Sequence, residues 1–319
     1  MADGSGLAKM RACGKFLDAD QTADGSARAV VSFDGLDTLW VNTGTLCNIE
    51  CAHCYIESSP KNDRLAYITR DEAAPFLDEA EALGAREIGF TGGEPFMNPE
   101  MIGLARDALA RRFEALILTN AMRPMMRPRV REGLLSLRDE FDAALTLRIS
   151  LDHYTQALHD AERGEGSFEE TLEGLLWLAR EGFALSVAGR SRFGETLDET
   201  RAGYAAFFAA PGITVDAFDP SALVVFPEMD AARDTPEITT DCWRILGKSP
   251  SSLMCASSRM VVKRKNAPRP AIVACTLLPY SDAFEMGETL TGSLGAIKLN
   301  HPHCSRFCVL GGASCSAKA

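Results

Sequence analysis

The stretch TLWVNTGTLCNIECAHCY, residues 38–55, joins a short apolar run to three closely spaced cysteines. Residues 38–42 read as a first strand, and the cysteines sit in the loop that follows it. Cys47, Cys51 and Cys54 have C-x3-C-x2-C spacing, with the aromatic Tyr55 next in line. Soft thiolates suit iron–sulfur ligation. Three of them cannot saturate a four-iron cube, so one iron stays open to bind and break a cofactor. The competing reading is a zinc knuckle with His53 as fourth ligand.

Outward from this stretch the chain alternates strand and helix signals. Thr69-Arg-Asp-Glu72 is a capping box ahead of Phe76, Leu77, Ala80 and Leu83 at helical spacing, with Gly84 as the stop. Glu87-Ile-Gly-Phe-Thr91 is a second strand that runs into Gly92-Gly-Glu-Pro95. A helix near 99–112 leads to the strand 115–119, and a helix within 128–138 leads to the strand 145–150. Ser167-Phe-Glu-Glu170 reads as a second capping box, followed by Leu172, Leu175, Leu176 and Ala179 on one face and Gly182 as the stop. A strand at 184–188, a helix near 196–209 and a last strand around 213–218 complete the series.

Repeated units of this kind imply a parallel sheet with right-handed crossovers. Six of them favour an α/β fold, a partial (β/α)6 TIM-like barrel, over an open sheet. After about residue 225 short strands, Pro, Gly and Cys replace the rhythm, and residues 260–265 and 270–274 read as a hairpin around Asn266. The expected organisation is an N-terminal extension over 1–35, a core barrel over 36–225 and a small Cys-rich α+β module over 226–319.

With 319 residues, 46% apolar and 24% charged, the chain has room for a sizeable core. A net charge of −11 argues against non-specific nucleic-acid binding. No signal peptide and no spanning apolar run is visible, so no membrane role and a cytoplasmic location are expected. Ten cysteines without a secretion signal point to metal ligation rather than disulfides.

In parallel α/β architectures functional residues gather at the C-terminal ends of the strands. The triad, Gly92 to Pro95, Asn120, Ser150, Asp152 and Arg190 all follow strands and are expected at one mouth. Each has a plainer reading: a βα turn for the glycines, a strand-end turn for Asn120, and helix capping or a surface ion pair for Ser150, Asp152 and Arg190.

The triad followed about 40 residues on by Gly92-Gly-Glu-Pro95, within a βα repeat, resembles the radical S-adenosylmethionine (radical SAM) superfamily over roughly residues 36–220. The resemblance implies that Cys47, Cys51 and Cys54 hold a [4Fe-4S] cluster whose open iron binds SAM. It further implies reductive cleavage to methionine and a 5′-deoxyadenosyl radical, fed by an electron donor such as flavodoxin or ferredoxin. Tyr55 is then expected beside the adenine. Gly92, Gly93, Glu94 and Pro95 are expected at the methionyl end, where two glycines let backbone approach closely. Asn120, Ser150, Asp152 and Arg190 occupy positions that often contact SAM in the family, and Arg190 suits its carboxylate.

The distal cysteines are Cys242, Cys255, Cys275, Cys304, Cys308 and Cys315. Cys255 and Cys275 flank the hairpin, which brings their sulfurs close. This segment resembles the C-terminal SPASM and twitch extensions of radical SAM enzymes, which carry auxiliary [4Fe-4S] clusters. Ile149 to Asp152 and Gly164 to Phe168 fit the same subgroup. One auxiliary cluster is expected on Cys255, Cys275, Cys304 and Cys308, with Cys315 competing for the last position. A zinc site using His301 or His303 is the alternative. Cys242 and Cys13 read as buried apolar fillers, and Lys263 to Lys265 as a solvated hairpin tip.

Three functions follow. The first is hydrogen abstraction from a small-molecule biosynthetic substrate, leading to oxidation, rearrangement or transfer of a SAM fragment. The second is the same chemistry on a peptide or protein. The 46 residues before Cys47 are few for a leader-binding domain, which favours the first. The third is a non-catalytic iron–sulfur or zinc protein, which leaves the Gly92 to Pro95 strand end without a role.

Overall fold

Leu39, Trp40 and Val41 are all fully buried, as expected for a strand covered on both faces. A computed structural model describes residues 8, 10–191, 193–228 and 234–312. Its main sheet has eight strands: β1 (Thr38–Asn42), β2 (Glu87–Thr91), β3 (Glu114–Thr119), β4 (Leu145–Ser150), β5 (Ala184–Arg190), β6 (Leu223–Phe226), β7 (Ser258–Val262) and β8 (Ala271–Val273). Their order is β6-β5-β4-β3-β2-β1-β7-β8. Six parallel strands, β1 to β6, form the expected partial barrel. The hairpin β7–β8 forms with Val261 opposite Ile272, and β7 also pairs in parallel with β1. The Cys-rich segment therefore continues the barrel sheet, a long-range pairing that local pattern does not reveal.

Helices α1 (Arg70–Ala82), α2 (Met101–Ala110), α3 (Pro128–Phe141), α4 (Gln156–Arg163), α5 (Ser167–Arg180) and α6 (Leu197–Ala209) are the crossovers. Thr69 and Glu72 form the full capping box of α1. The box expected for α5 does not form, because Asp160 of α4 takes its place. Asp160 accepts from the backbone N–H of Phe168 (2.8 Å) and Gly166 (3.2 Å) and from the Ser167 hydroxyl (3.0 Å). The last strand lies at 223–226 rather than 213–218. Ile213, Val215 and Ala217 are buried in alternation, but the chain turns after them. Asp216 and Asp219 accept from the N–H of Phe218 and Ser221, a local bond that competes with a ladder.

The sheet separates two cores. Leu39, Val41, Ile88, Ile117 and Leu147 face the helices. Trp40, Leu116, Val224 and Met260 face inward, where Leu253, Leu278, Leu299 and Phe307 cover them. Fully burying each such aliphatic or aromatic side chain contributes about 1.5–3 kcal/mol. The tail of the chain thus fills the barrel's inner side. The expected hairpin tip is solvated only in part: Lys265 is exposed, whereas Lys263 and Arg264 are half-buried. Lys263 pairs with Glu72, Arg264 with Glu285 and Lys265 with Asp63, and the Lys263 side chain is only 12% exposed. Ahead of the barrel, Val30–Val31 pairs antiparallel with Ile297–Lys298. Among the described residues no helix is long and apolar enough to cross a membrane.

Candidate functional site: a cysteine-lined cleft at the barrel mouth

The turn after β2 and the loop after β1 are built against each other. Thr43 N–H donates to the Thr91 carbonyl (2.8 Å), Gly93 N–H to Gly44 (2.8 Å) and Glu94 N–H to Leu46 (3.1 Å). A Cβ on Gly93 would lie 2.2 Å from the Leu46 carbonyl oxygen, and one on Gly92 2.5 Å from that of Gly44. Gly92 also has φ +153°. The glycine pair is therefore required by the backbone that launches the cysteine loop, whatever ligand it also meets. Gly93→Ala is expected to destabilise the anaerobic apo-protein by about 1–3 kcal/mol, since the clash is with backbone and no side chain can yield. A urea midpoint equal to that of the parent protein would rule this out.

Cys47, Cys51, Cys54, Tyr55, Gly92, Gly93, Asn120, Ser150, Asp152 and Arg190 all line one cleft of about 1040 Å³, its open mouth included. They come from the ends of five strands and the loops that follow. Glu94 and Pro95 do not line it. Pro95 opens a 3-10 turn, Pro95–Met97. Glu94 is buried beneath the cleft and accepts from the Asn120 N–H (2.9 Å), the Thr119 hydroxyl (2.9 Å) and the Phe96 N–H (3.2 Å). Burial pushes its pKa up to about 7 against these bonds. Asn120 in turn donates from Nδ2 to Asn48 Oδ1 (2.9 Å), next to Cys47.

Arg163 also lines the cleft and was not anticipated from the sequence. It ends α4, where a basic residue is ordinary, so only its docking distinguishes it. Its Nε and Nη2 donate to the two Asp152 oxygens at 3.0 and 2.9 Å. Arg190 Nε lies 3.3 Å from Asp152 Oδ1, and its Nη1 donates to the His53 carbonyl (2.8 Å). Burial alone would raise the Asp152 pKa, but the two guanidinium charges and the Arg163 bonds hold it well below the usual range. The end of α4 also grips the cysteine loop. Ala52 N–H donates to the Glu162 carbonyl (2.8 Å), and Glu162 Oε2 is 2.9 Å from His53 Nδ1. Tyr55 lies under the Arg190 guanidinium, 4.5 Å from its ring centroid, and edge-on to Phe226 and Phe307.

The donor set fits a cluster better than one ion. Around a single zinc, ligands at about 2.3 Å put neighbouring sulfurs roughly 3.8 Å apart. Among the described residues no group of three or more His, Cys, Asp or Glu is arranged for a single ion. His53, the fourth ligand of the competing zinc reading, has a half-exposed side chain held by Glu162 instead. Burial pushes the Cys47 thiol up to about 12 and raises that of Cys51, against the favourable charge of Arg163. Such thiols need a cationic centre to become thiolates, and they share their cleft with Gly92, Gly93 and Ser150.

Cys255, Cys275, Cys304 and Cys308 come together in a second, apolar pocket of about 400 Å³, also lined by His303. Cys255 and Cys304 are buried. Cys304 and Cys308 lie on a π-helical turn, Cys304–Leu310. Cys315 lies outside the described residues. Cys242 is half-buried beside the inner core and does not line this pocket, and Cys13 is exposed rather than a buried filler. His301 is buried, and its Nδ1 accepts from the His303 N–H (3.1 Å). The segment after β8 separates the two sites. Cys275 lines the second pocket, Thr276 the first and Leu277 both.

The sequence model of the Radical SAM superfamily matches residues 41–199. Mycofactocin maturase MftC of Mycobacterium tuberculosis H37Rv is 35% identical over 156 residues, 48% of this chain and 38% of that protein. The AdoMet-dependent heme synthase of Methanosarcina barkeri is 29% identical over 142 residues, 44% of this chain and 38% of that one. The chain thus spans about a third of the length of these curated relatives. In fold, Streptococcus suis SuiB bound to its precursor peptide SuiA superimposes with TM-score 0.60 at 12% identity, covering 97% of this chain and 69% of SuiB.

Proposed function

Because this chain belongs to the radical SAM superfamily, whose members use a [4Fe-4S] cluster and SAM, we propose that it abstracts hydrogen from a peptide substrate at the cleft between its two cysteine groups. The convergence of Cys47, Cys51 and Cys54 with Gly92, Gly93, Asn120 and Ser150 in one cleft carries the reading. When bound, the reduced cluster supplies the electron that splits SAM into methionine and a 5′-deoxyadenosyl radical.

The protein's own residues bind, orient and shield. Cys47, Cys51 and Cys54 would hold the cluster, with Arg163 offsetting thiolate charge at its side. The backbone of Gly92 and Gly93, Asn120 and Ser150 would meet the methionyl end of SAM. Tyr55, Phe226 and Leu118 line the apolar part of the cleft and exclude water from a reactive radical. Arg190 is already engaged by Asp152, so its part is to hold that carboxylate and Tyr55 in place. Cys255, Cys275, Cys304 and Cys308 would hold an auxiliary [4Fe-4S] cluster. The Cys275–Leu277 segment borders both its pocket and the cleft, which suits a role as electron acceptor or substrate anchor.

A peptide is favoured over a small molecule by the relatives: a mycofactocin maturase matches at 35% identity, and the fold neighbour SuiB binds a precursor peptide. The match to a heme synthase keeps the small-molecule reading as the second one. Anaerobically reconstituted, reduced protein is expected to form 5′-deoxyadenosine, faster with a short peptide encoded beside its gene, and to change that peptide's mass. Mass change in a co-encoded pathway metabolite, with every such peptide unaltered, would transfer the assignment to the second reading.

A further inference from the structure

Arg259, on β7, is fully buried. Its guanidinium donates only to neutral carbonyls: Ser293 (2.7 Å), Cys255 (2.7 Å), Ser258 (2.7 Å) and Gly295 (2.9 Å). It also stands over the Phe33 ring, 4.3 Å from its centroid. Among the described residues no carboxylate pairs with it. Two other buried arginines each meet a carboxylate. Arg28 has Glu237 at 2.6 Å, and Arg163 has Asp152 at 2.9 Å. A buried cation without a counter-charge is strongly unfavourable. Arg259 instead holds the backbone of Cys255 at 2.7 Å, and the thiols of Cys255 and Cys275, which become negative on deprotonation, act on its charge.

We propose that Arg259 is the buried counter-charge of the second cysteine site, stabilising an anionic thiolate-bound cluster there and favouring its reduced state. The inference rests on the reading of Cys255, Cys275, Cys304 and Cys308 as ligands of an auxiliary cluster. Four thiolates outweigh the positive charge of an iron–sulfur core, so the filled site is anionic and gains further negative charge on one-electron reduction. A fixed cation in a low-dielectric interior acts strongly on that difference. Its effect is to raise the reduction potential, which equips the site to take an electron from the neighbouring cleft.

The test uses the full chain carrying Cys47→Ala, Cys51→Ala and Cys54→Ala, so that only the second site reports. Iron, sulfide and zinc content are measured first, then the midpoint by reductive titration followed by electron paramagnetic resonance. Arg259→Gln, which keeps donors but loses the charge, is expected to lower the midpoint by at least the equivalent of a tenfold change in the one-electron equilibrium, about 59 mV. Arg259→Lys is expected to stay near the parent. Loss of iron from Arg259→Gln but not from Arg259→Lys supports the same role, since charge then decides retention. An unshifted midpoint with iron intact overturns it, as does equal loss of iron from both variants, which would make Arg259 a clamp on carbonyls alone. A parent without iron, or loaded with zinc, overturns the auxiliary-cluster reading itself.

Discussion

Replacing Cys47, Cys51 and Cys54 together by alanine is expected to reduce 5′-deoxyadenosine formation to background while leaving about four iron per chain on the second site. The reasoning is structural. These three sulfurs are the soft donors of the barrel-mouth cleft, and no histidine or carboxylate of the described residues joins them to make an alternative metal site. The second group lies in its own pocket, walled off by the segment after β8, so its ligation does not depend on the triad. Iron analysis and chromatography of the reaction mixture check both halves. Undiminished SAM cleavage in the triple variant would sink the assignment of the cluster to the triad. Iron falling to nearly zero would sink the second cluster and leave the first intact.

Asp152→Ala is expected to cost about 3–5 kcal/mol of stability, because it leaves two buried guanidinium groups without their shared carboxylate. The side chains of Asp152, Arg163 and Arg190 are 4%, 10% and 11% exposed, so water cannot take over the pairing. The consequences reach the cleft: Arg163 ties the end of α4 to Asp152, its neighbour Glu162 meets the cysteine loop, and Arg190 holds the His53 carbonyl. Loss of SAM affinity should accompany the loss of stability. The same group sets an acid limit. Its folded pKa is depressed below the unfolded value near 3.8. Its contribution is therefore complete above that pH and is lost as the pH falls below it through the folded value. Urea denaturation of the apo-protein from pH 6 down to pH 3, compared with Asp152→Ala, measures the full contribution and the onset of its loss. A parent and variant of equal stability at pH 6 would remove Asp152 from this role.

Much of this site is written in short-range signals. Cys47, Cys51 and Cys54, the glycine turn at 92–93 and the strand ends at Asn120 and Ser150 carry their meaning within a few residues. The alternation of strands and capped helices then says that they meet. Where a local signal had a competitor across space, it misled. Ser167 and Glu170 match a capping pattern, but Asp160 reaches the helix start first. Residues 213–218 alternate in burial without pairing, because Asp216 and Asp219 bend the backbone. Lys263 to Lys265 look like a solvated tip, yet Lys263 and Arg264 are half-buried against Glu72 and Glu285, while Lys265 stays exposed. The Thr196–Glu199 capping box of α6 is equally local, and it forms in full.

The linear chain is enough to establish a parallel barrel, a three-thiolate loop at its mouth and a second reserve of cysteines near its end. Periodicity, caps and ligand spacing are properties of neighbours along the chain, and neighbours along the chain are what a sequence displays. Tertiary structure alone decides three further points. Arg163 joins Arg190 on the Asp152 carboxylate. Cys255, Cys275, Cys304 and Cys308 share one pocket behind a wall one segment thick. Arg259 carries its charge into the core with no carboxylate of the described residues to meet it. Each of these depends on which distant groups are brought together away from water, where charge is expensive and must be matched, and that matching exists only once the chain is folded.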